Sequence, residues 1–524
     1  MSDIKTFKFD KENFCEIKEY HFGSNWPAVY LLEDGKEIYI GESTSVYNRS
    51  RQHFEKEQKR KLKNIHVISD EEYNKSAALD IESQLIQYIS ADEKFTVQNG
   101  NKGLSNHDYY DRDKYKAKFE LIWKELTRMS LVQKSLLQIR NSQIFKYSPY
   151  KSLTDDQIHI VQNILTILKK TESETIVING SPGTGKTIVA TYLMKYLLET
   201  KEYKNMKVGL VIPMTSLRKT IRKVFSHVKG LKPGMVIGPN DVIKEKYDLL
   251  IVDEAHRLTQ RKNITNFASY DAVNKKIGLG KEGTQLDWIL NSSKHQIFFY
   301  DKNQTVRPAD IDTGAFAKMP AVRLILSKQI RVNGGEMYID FINNFFDLEF
   351  SECNFEEYDF KIFNNPSEMM AAIKEKNSEY DLCRVVAGYA WPWKTRKGAE
   401  FDIELGDLKL SWNSQAVDWV NSKNAINEVG CIHTVQGYDL NYAGVIIGPE
   451  ISYDPINHEL IIHKDKYEDF NGKRSISDPE ELKIYIFNIY RTLLTRGIYG
   501  TYVYVVDESL RKLFIDASED RNFT

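Results

Sequence analysis

The chain has 524 residues, of which 41% are hydrophobic and 28% charged, and its formal net charge is −1 at pH 7. This length exceeds what one hydrophobic core supports and predicts about three domains of roughly 100–200 residues each. The near-zero net charge excludes a general electrostatic attraction to nucleic acid, so any such binding must depend on local patches. The four cysteines, Cys15, Cys353, Cys383 and Cys431, lack zinc-binding spacing and indicate reduced thiols.

Targeting and membrane segments are not expected from the sequence. Residues 1–14 lack the apolar core of a signal peptide, and no apolar run is long enough to span a membrane. We therefore expect a cytoplasmic protein without a membrane partner. The sequence leaves the oligomeric state and any protein partners open.

A β-hairpin is predicted close to the amino terminus. Ala28–Leu32 is rich in strand-forming residues, and Glu37–Gly41 returns as a second strand after a turn that contains Asp34 and Gly35. The hairpin indicates a small domain of mixed α/β structure in this region.

Two helices are predicted after the hairpin. The first starts at about Ser45 and places Arg49 and His53 one turn apart on one face. The second runs from Ser76 to Ile89, with Glu82 on its flank. Its apolar periodicity predicts that three side chains are buried: Leu79, Leu85 and Ile86.

These residues, in this order, resemble the GIY-YIG nuclease family over roughly Trp26 to Asn101. The matching parts are Val29-Tyr30, Tyr39-Ile40-Gly41, Arg49, His53 and Glu82 followed by Leu85-Ile86. The first triplet is Ala28-Val29-Tyr30 in place of Gly-Ile-Tyr. Asn99 is a candidate for the family's late asparagine, although it lies further past Glu82 than the family pattern.

The resemblance implies a nuclease domain over residues 1–108. It implies a single Mg²⁺ held by Glu82, and an Arg49 that neutralises the scissile phosphate. Tyr30 and Tyr39 would position or deprotonate the attacking water, and His53 would assist. This division agrees with the chemistry, since phosphodiester cleavage needs a metal, a cation and a positioned base.

A basic run follows the first of these helices. It consists of Lys56, Lys59, Arg60, Lys61 and Lys63. Phosphate contacts are one interpretation, and a solvated helix face is the other. The second is favoured because runs of charge usually face solvent.

A helical connector is predicted over residues 109–150, as a packing arm between domains. Phe119, Ile122, Trp123 and Leu126 lie at helical spacing within it. After it, Thr154 is suited to cap a helix. Gln157, in that helix, resembles the adenine-reading glutamine that precedes the phosphate loop in helicases, and a simple helix start explains it equally well.

A phosphate-binding loop follows a β-branched strand at Thr175–Ile178 and precedes a helix. Its residues are Gly180-Ser181-Pro182-Gly183-Thr184-Gly185-Lys186-Thr187. The glycines let backbone N–H groups surround the β- and γ-phosphates, and the helix amino terminus supports that charge. Lys186 would reach the terminal phosphates, and Thr187 would hold Mg²⁺. ATP and Mg²⁺ are therefore the expected cofactors.

Two further strands end in polar residues suited to the same site. Leu249–Val252 is wholly apolar and is followed by Asp253, which would bind Mg²⁺ through water, and Glu254, which would orient and deprotonate the attacking water. The strand Gln296–Tyr300 is followed by Gln304, which is suited to sensing the γ-phosphate.

The chain from about Leu153 onward resembles a superfamily 1 helicase, and the match is best to the Schlafen group 3-like DNA/RNA helicase family. The later motifs that carry it are Gln329-Ile330-Arg331, Val386–Trp393, Ile432–Asp439 and Tyr490–Gly497. The implied fold is α/β, with two RecA-like parallel-sheet lobes over residues 151–328 and 329–524.

The same resemblance implies roles for residues of the second lobe. Arg331 and Arg496 would act as arginine fingers on the γ-phosphate. Thr434, Gln436 and Gly437 would couple the nucleotide to the bound strand. Arg491 ranks below Arg496 because it could instead be a salt-bridging core residue.

Four aromatic residues lie close together in the sequence of the predicted second lobe: Tyr389, Trp391, Trp393 and Trp412. They could stack bases of a single strand, but packing within the lobe is the favoured interpretation. Residues 257–284 and 393–422 are predicted to be insertions that clasp nucleic acid.

Together these features predict an ATP-dependent nuclease-helicase that acts on nucleic acid, with DNA favoured over RNA. Defence against foreign DNA such as phage is one role that the fusion suggests, and DNA repair is another. A different class stays open: a nucleotide-gated binding or signalling ATPase whose nuclease-like domain only docks. Arg49, Tyr39 and Glu82 favour the enzyme.

Overall fold

The computed structural model describes residues 3–100, 112–350, 355 and 357–519, which fall into two compact units. The first unit comprises Met1–Val161, Ile188–Asn205 and Ile221–Met235, and the second comprises Gln162–Thr187, Met206–Thr220 and Val236–Thr524. The start of the predicted connector, residues 109–111, and Cys353 lie outside the described residues. Among the helices that the structure describes, none is both long and apolar enough to cross a membrane.

The first unit is built on a five-stranded sheet in the order β1-β4-β2-β3-β5. Its neighbours are antiparallel except for β3 and β5. The strands are β1 (Asp3–Lys8), β2 (Ala28–Glu33), β3 (Glu37–Ser43), β4 (Asn64–Ser69) and β5 (Thr96–Val97). The predicted hairpin is β2–β3. Its turn is fixed by Gly35, with a φ of +88°, and by Asp34 Oδ1, which accepts a 2.7 Å hydrogen bond from the N–H of Glu37.

Seven helices of the first unit surround this sheet or continue from it. They are α1 (Phe14–Glu19), α2 (Val46–Phe54), α3 (Glu57–Arg60), α4 (Lys75–Asp92), α5 (Arg112–Arg128), α6 (Leu136–Asn141) and α7 (Gln143–Lys146). Ser45 caps α2, as its position in the sequence indicates.

Helix α4 buries a different stripe from the predicted one. Leu85 and Ile86 are buried as expected, but Leu79 is 40% exposed. The prediction for Leu79 is wrong because the buried stripe contains Ala78 and Ile81, and Leu79 lies to one side of it. In the connector, Phe119 and Trp123 of α5 pack against Tyr88 of α4, at ring distances of 5.0 and 5.7 Å.

The second unit contains two large sheets, and the first has six parallel strands in the order β11-β6-β10-β9-β7-β8. The strands are β6 (Thr175–Gly180), β7 (Val208–Val211), β8 (Val236–Ile237), β9 (Tyr247–Val252), β10 (Ser293–Tyr300) and β11 (Val322–Leu326). The helices that follow in this region are α11 (Phe267–Lys276), α12 (Gln285–Ser292) and α13 (Thr313–Lys318). Parallel order brings the carboxyl ends of β6, β9 and β10 to one edge.

Three helices have residues divided between the two units: α8 (Asp155–Lys170), α9 (Lys186–Glu199) and α10 (Thr215–Ser226). Lys186 and Thr187, which begin α9, belong to the second unit. The phosphate loop and the strands whose ends it meets therefore lie in the same unit.

The other sheet has seven strands in the order β12-β20-β17-β13-β16-β15-β14, and all neighbours are parallel except β14 and β15. The strands are β12 (Asp359–Ile362), β13 (Arg384–Ala387), β14 (Ile403–Leu405), β15 (Leu408–Trp412), β16 (Glu428–Cys431), β17 (Leu440–Ile447) and β20 (Gly497–Val505), with a separate hairpin of β18 (Ile451–Asp454) and β19 (Glu459–Ile462). The helices are α14 (Gly335–Phe345), α15 (Pro366–Tyr380), α16 (Ile432–Val435), α17 (Phe470–Lys473), α18 (Pro479–Leu494) and α19 (Glu508–Glu519).

The two sheets confirm the predicted α/β class. One expectation within them changes: residues 393–422 are not a separate insertion, because β15 pairs with β16 and the β14–β15 hairpin extends the sheet. The segment 257–284 contains α11 and leads into α12.

Candidate functional site

The phosphate loop connects β6 to α9 and depends on its glycines. Gly183 and Gly185 have φ angles of +87° and +81°, in the left-handed region that favours glycine. A Cβ added at Gly180 would lie 2.7 Å from Thr184 Oγ1. The loop therefore has the backbone that a phosphate cradle requires.

Lys186 is buried against its own loop. Its Nζ donates to the carbonyl oxygens of Gly180 at 2.6 Å and Ser181 at 3.1 Å, and it lies 3.7 Å from Asp301 Oδ2. A buried ammonium group needs such partners, and phosphate oxygens form stronger charge-assisted bonds than carbonyl groups do. The lysine is thus placed where the phosphates of a nucleotide would replace the loop's own carbonyl oxygens.

Thr187 and Asp253 form a candidate magnesium site. Thr187 Oγ1 donates to Asp253 Oδ2 at 2.7 Å, and among the described residues the buried Asp253 Oδ1 has no hydrogen-bond partner. Burial, with the charge of the adjacent Glu254, raises the pKa of Asp253 well above its usual range. A hydroxyl beside a buried carboxylate with an unpaired oxygen is a hard-oxygen donor set that fits Mg²⁺.

Glu254 has a strained backbone and an ionised side chain. Its φ is +50°, a conformation that non-glycine residues adopt at a cost and mainly at functional sites. Glu254 Oε2 lies 3.0 Å from His256 Nε2. Burial alone would raise the pKa of Glu254, but His256, Lys186 and Arg496 together lower it. The carboxylate is therefore ionised and can accept a hydrogen bond from a water molecule and orient it.

Gln304 and Arg496 link the two large sheets at this edge. Gln304 Nε2 donates to Asp301 Oδ2 at 2.7 Å, and Arg496 Nη2 donates to Gln304 Oε1 at 3.4 Å. Arg496 also donates to the carbonyl oxygens of Thr492 and Tyr438, and only 1% of it is exposed. The cation of Arg496, which follows α18, is thereby fixed beside Gln304, and its charge helps to lower the pKa of Glu254.

The segment from Gln436 to Tyr438 contacts the six-stranded sheet's elements at two places. Gln436 Nε2 donates to the carbonyl of Gln304 at 3.5 Å, and the Tyr438 hydroxyl lies 2.6 Å from Ser216 Oγ. Gly437, between them, has a φ of +90°. Thr434 is buried nearby, with its hydroxyl 3.1 Å from Cys431 Sγ. This geometry suits a segment whose position would respond to a movement of Gln304.

Arg331 occupies a different place from Arg496. It lies between β11 and α14, where Gln329 Nε2 donates to the carbonyl of Pro182 at 2.5 Å and the N–H of Ile330 donates to Gly183 at 3.0 Å. Arg331 Nε lies 2.6 Å from Asp439 Oδ1. Arg331 therefore lies between the phosphate loop, which its neighbours bind, and Asp439, and its role as an arginine finger stays a prediction.

The structure shows local contacts for two residues whose roles the sequence left open. Arg491 Nη2 donates to both oxygens of Asp347 at 2.9 Å, so Arg491 is a salt-bridging residue. Gln157 accepts from the N–H of Thr154 at 3.1 Å, and Thr154 Oγ1 accepts from the N–H of Gln157 at 3.4 Å. This reciprocal pair explains Gln157 as a helix start, and adenine recognition by it stays a prediction.

A cavity of about 620 Å³ adjoins the phosphate loop. Its lining includes Ser181, Tyr300, Gln329, Ile339 and Asn343. This volume lies within the range of small-ligand sites.

The aromatic residues of the seven-stranded sheet pack on one another. Trp412 is buried, its ring stacks on Tyr389 at 5.7 Å and 12°, and its Nε1 donates to the carbonyl of Trp391. The guanidinium group of Arg396 lies over the ring of Trp393, 3.6 Å from the ring centroid. These contacts agree with the packing interpretation.

The nuclease residues come together in the first unit. The Tyr30 hydroxyl and His53 Nε2 share a 2.8 Å hydrogen bond, and the Tyr39 ring lies 5.0 Å from that of His53. Burial raises the pKa values of Tyr30 and Tyr39. Burial and the charges of Lys59 and Arg49 lower the pKa of His53 to about 3. At neutral pH the histidine is therefore uncharged and both tyrosines are protonated.

Arg49 and Glu82 complete this group. Burial lowers the pKa of Arg49, but its contacts with Tyr30 and Tyr39 outweigh that effect and raise it. Burial, followed by the charge of Glu42, raises the pKa of Glu82 to about 7. A half-buried carboxylate beside another acidic residue is a place where a cation fits.

The described residues contain no cluster of three or more histidine, cysteine, aspartate or glutamate side chains arranged to hold a metal ion. The side chain of Asn99 binds the backbone of Ile40. Its Oδ1 accepts from the N–H of Ile40 at 3.0 Å, and its Nδ2 donates to the carbonyl of Ile40 at 2.7 Å.

Sequence reasoning missed one residue of the nuclease group, Lys59. Its Nζ lies over the ring of Tyr39, 2.8 Å from the centroid. The basic run itself was the available signal, but nothing in the sequence distinguishes Lys59 from its neighbours, since the difference arises from a tertiary contact.

Two family models match the chain. Residues 173–507 match the Schlafen group 3, DNA/RNA helicase domain, and residues 27–95 match the GIY-YIG catalytic domain. Both resemblances seen in the sequence are confirmed.

Individual proteins are similar to the chain over most of its length. The uncharacterized protein YPL245W of Saccharomyces cerevisiae is 26% identical over 428 residues, which is 70% of this chain and 91% of the yeast protein. The structure of Arterivirus nonstructural protein 10 (helicase) with DNA has a TM-score of 0.29 and 14% identity, over 65% of this chain and 63% of the viral one. The structure of Mss116p bound to ssRNA and AMP-PNP has a TM-score of 0.34 and 16% identity, over 75% and 76%.

Proposed function

Because the chain belongs to the Schlafen group 3 DNA/RNA helicase family and contains a GIY-YIG catalytic domain, we propose that it is an ATP-dependent nuclease-helicase. Its motor would hydrolyse ATP and engage nucleic acid, DNA in preference to RNA, and its amino-terminal domain would cleave phosphodiester bonds. The observation that carries the proposal is a chain of contacts from the phosphate loop to Arg496: Lys186 lies 3.7 Å from Asp301, Gln304 donates to Asp301 at 2.7 Å, and Arg496 donates to Gln304 at 3.4 Å.

In the ATP site each residue has a task that its surroundings support. Lys186 would exchange its loop carbonyl partners for the β- and γ-phosphates. Glu254 would orient the attacking water and accept its proton. Arg496 would stabilise the charge that develops on the γ-phosphate, while Gln304, bonded to it, would report the presence of that phosphate to Gln436. Arg331 is a second candidate finger, which would first have to leave Asp439.

In the nuclease site the tyrosines and the histidine would prepare the water. Tyr30 is hydrogen-bonded to the neutral His53, which fixes the Tyr30 hydroxyl where it would position the attacking water. Arg49 is only half-buried and can reach a phosphate from solvent. Its charge would neutralise the scissile phosphate.

Magnesium is the metal that both donor sets fit. Thr187 and Asp253 would hold it in the motor, and Glu82 would hold it in the nuclease. When bound, it would supply charge neutralisation at the phosphate oxygens.

At the level of the cell, we propose a cytoplasmic protein that restricts foreign DNA such as phage. The fusion of a nuclease to a helicase supports this role, and repair of DNA is the alternative. We propose domain boundaries at residues 1–108, 109–150, 151–328 and 329–524.

The test is a nucleic-acid-dependent ATPase assay on the full chain with single- and double-stranded DNA and RNA. We expect phosphate release to rise with at least one of these polymers and to rise most with DNA. Lys186→Ala should lose ATP binding or turnover, whereas Glu254→Gln should bind ATP without hydrolysing it. Wild-type hydrolysis in both variants would remove the assignment of the motor site.

A further inference from the structure

Lys59 differs from every other residue of the basic run. Lys56, Arg60, Lys61 and Lys63 are exposed, whereas Lys59 is half-buried and lies over the ring of Tyr39. The structure therefore separates one lysine from a run that otherwise faces solvent.

The position of Lys59 is fixed by the segment around it. Arg60 Nε donates to the carbonyl of Phe54 at 2.9 Å, and Leu62 is buried in the apolar core of the first unit. The N–H of Lys63 donates to the carbonyl of Glu33 at 2.8 Å. These anchors fix the chain directly after Lys59, whose ammonium group lies over Tyr39.

The ammonium group of Lys59 lacks an anionic partner. Among the described residues, the structure shows neither an ion pair nor a hydrogen bond for its Nζ, although a half-buried charge is unfavourable without one. Burial and the like charges of Lys56 and Arg49 lower the pKa of Lys59 to about 7, and only Glu82 opposes them. A phosphate would supply the missing negative charge.

We propose that Lys59 is a catalytic residue of the nuclease, whose ammonium group binds the scissile phosphate together with Arg49. This inference rests on the proposed nuclease function. The Lys59 ammonium group lies over the ring of Tyr39, and that ring lies 5.0 Å from the ring of His53, so Lys59 is next to the residues that would prepare the water. Lys59 supplies charge and hydrogen bonds to the phosphate, and it transfers no proton in this step.

The experiment compares Lys59→Met, Lys59→Arg and Lys61→Met in the full chain. Methionine keeps an unbranched stem over Tyr39 but removes the charge, arginine keeps the charge, and Lys61 is an exposed control two residues away. Single-turnover cutting of plasmid and of single- and double-stranded DNA oligonucleotides is measured with Mg²⁺ and saturating enzyme. Binding of the same oligonucleotides and thermal unfolding are measured in parallel.

We expect Lys59→Met to cut roughly 10²-fold more slowly, the effect of removing one group that stabilises transition-state charge. Lys59→Arg should recover much of that loss, and Lys61→Met should cut like wild type. Oligonucleotide binding and thermal unfolding should change little. If Lys59→Met unfolds, Lys59→Arg still tests the inference, because a folded Lys59→Arg that cuts no substrate, while Lys61→Met cuts like wild type, contradicts a role for the charge.

The outcomes separate the two claims. If the wild type cuts and Glu82→Gln does not, but Lys59→Met cuts at the wild-type rate, Lys59 is a packing residue and only this inference fails. If the wild type cuts none of the substrates, the nuclease function fails and this inference fails with it.

Discussion

Arg496 and Arg491 lie five positions apart, and their guanidinium groups have different surroundings. Arg496 is buried and bonded to Gln304, whereas Arg491 forms an ion pair with Asp347. The ion pair satisfies Arg491 without any nucleotide. Arg496, in contrast, is directed to the carboxyl end of the strands that would bind ATP.

Arg496→Gln should therefore slow ATP hydrolysis by roughly 10³-fold or more, because the charge that it stabilises develops in the transition state. Arg491→Gln is the matched control, and its turnover should stay close to wild type. Phosphate release at saturating ATP and nucleic acid measures both, with ATP affinity and thermal unfolding recorded alongside. Equal loss in the two variants would contradict the assignment.

Glu450 gives a prediction about stability. Its carboxyl group is fully buried, Oε1 accepts from the Tyr490 hydroxyl at 2.6 Å, and Oε2 has no hydrogen-bond partner among the described residues. Burial raises the pKa of Glu450 from 4.5 to about 7. The folded state holds this proton more tightly than the unfolded state does. The stabilising contribution of the protonated Glu450 to the free energy of unfolding is therefore fully present below pH 4.5 and is lost as the pH rises to about 7.

Glu450→Gln should therefore unfold at a higher temperature than wild type at about pH 8, where ionising the buried carboxyl costs on the order of 3 kcal/mol. The advantage should shrink or reverse near pH 5, where the wild-type group is protonated. Thermal unfolding at both pH values tests this, with the exposed Glu459→Gln as control. A difference between Glu450→Gln and wild type that does not depend on pH would exclude the mechanism.

Among the elements, the phosphate loop is held by the segment that joins the two large sheets. Gln329 and Ile330 both bond its backbone. A Cβ at Gly183 would lie 2.1 Å from Gln329 Oε1, and its φ is +87°. Gly278 has a similar φ of +76°, but a Cβ there would meet nothing within 4 Å.

Gly183→Ala should consequently reduce ATP turnover roughly tenfold or more, since left-handed strain of about 1–2 kcal/mol adds to the displacement of Gln329. Gly278→Ala carries comparable strain in open space and should leave turnover unchanged. Steady-state phosphate release compares them. If both variants lose turnover equally, general destabilisation is responsible and the loop contact is not.

The sequence predicted those elements whose signal is local. The strand before Gly180 and the apolar strand before Asp253 were found because a buried parallel strand is a continuous apolar run between polar ends. The five-part order from Tyr30 to Glu82 likewise identified the nuclease group.

What sequence reasoning missed depends on tertiary contacts. The pairing of β15 with β16 turned an expected insertion into a sheet edge. Lys59 was separated from its basic run by its contact with Tyr39. Leu79 was misplaced because a small rotation of a helix stripe changes which residues are buried, and only the packed sheet fixes that rotation.

For the whole molecule, the chemistry is divided between the two compact units. Tyr30, His53 and Glu82 belong to the first unit, and Lys186 and Glu254 belong to the second. Separate sets of residues imply that each reaction can be removed without abolishing the other. Loss of the motor should still weaken or deregulate cutting if the motor delivers the substrate.

The most direct test measures strand cleavage and phosphate release on the same preparations of wild type, Glu82→Gln and Glu254→Gln. Glu82→Gln should lose cleavage and keep phosphate release within about twofold of wild type, because substitutions at sites that share no residues usually act independently. Glu254→Gln should lose phosphate release and keep residual cleavage. Cleavage that survives in Glu82→Gln, with none in a mock preparation, or phosphate release that survives in Glu254→Gln, would contradict a protein with two active sites.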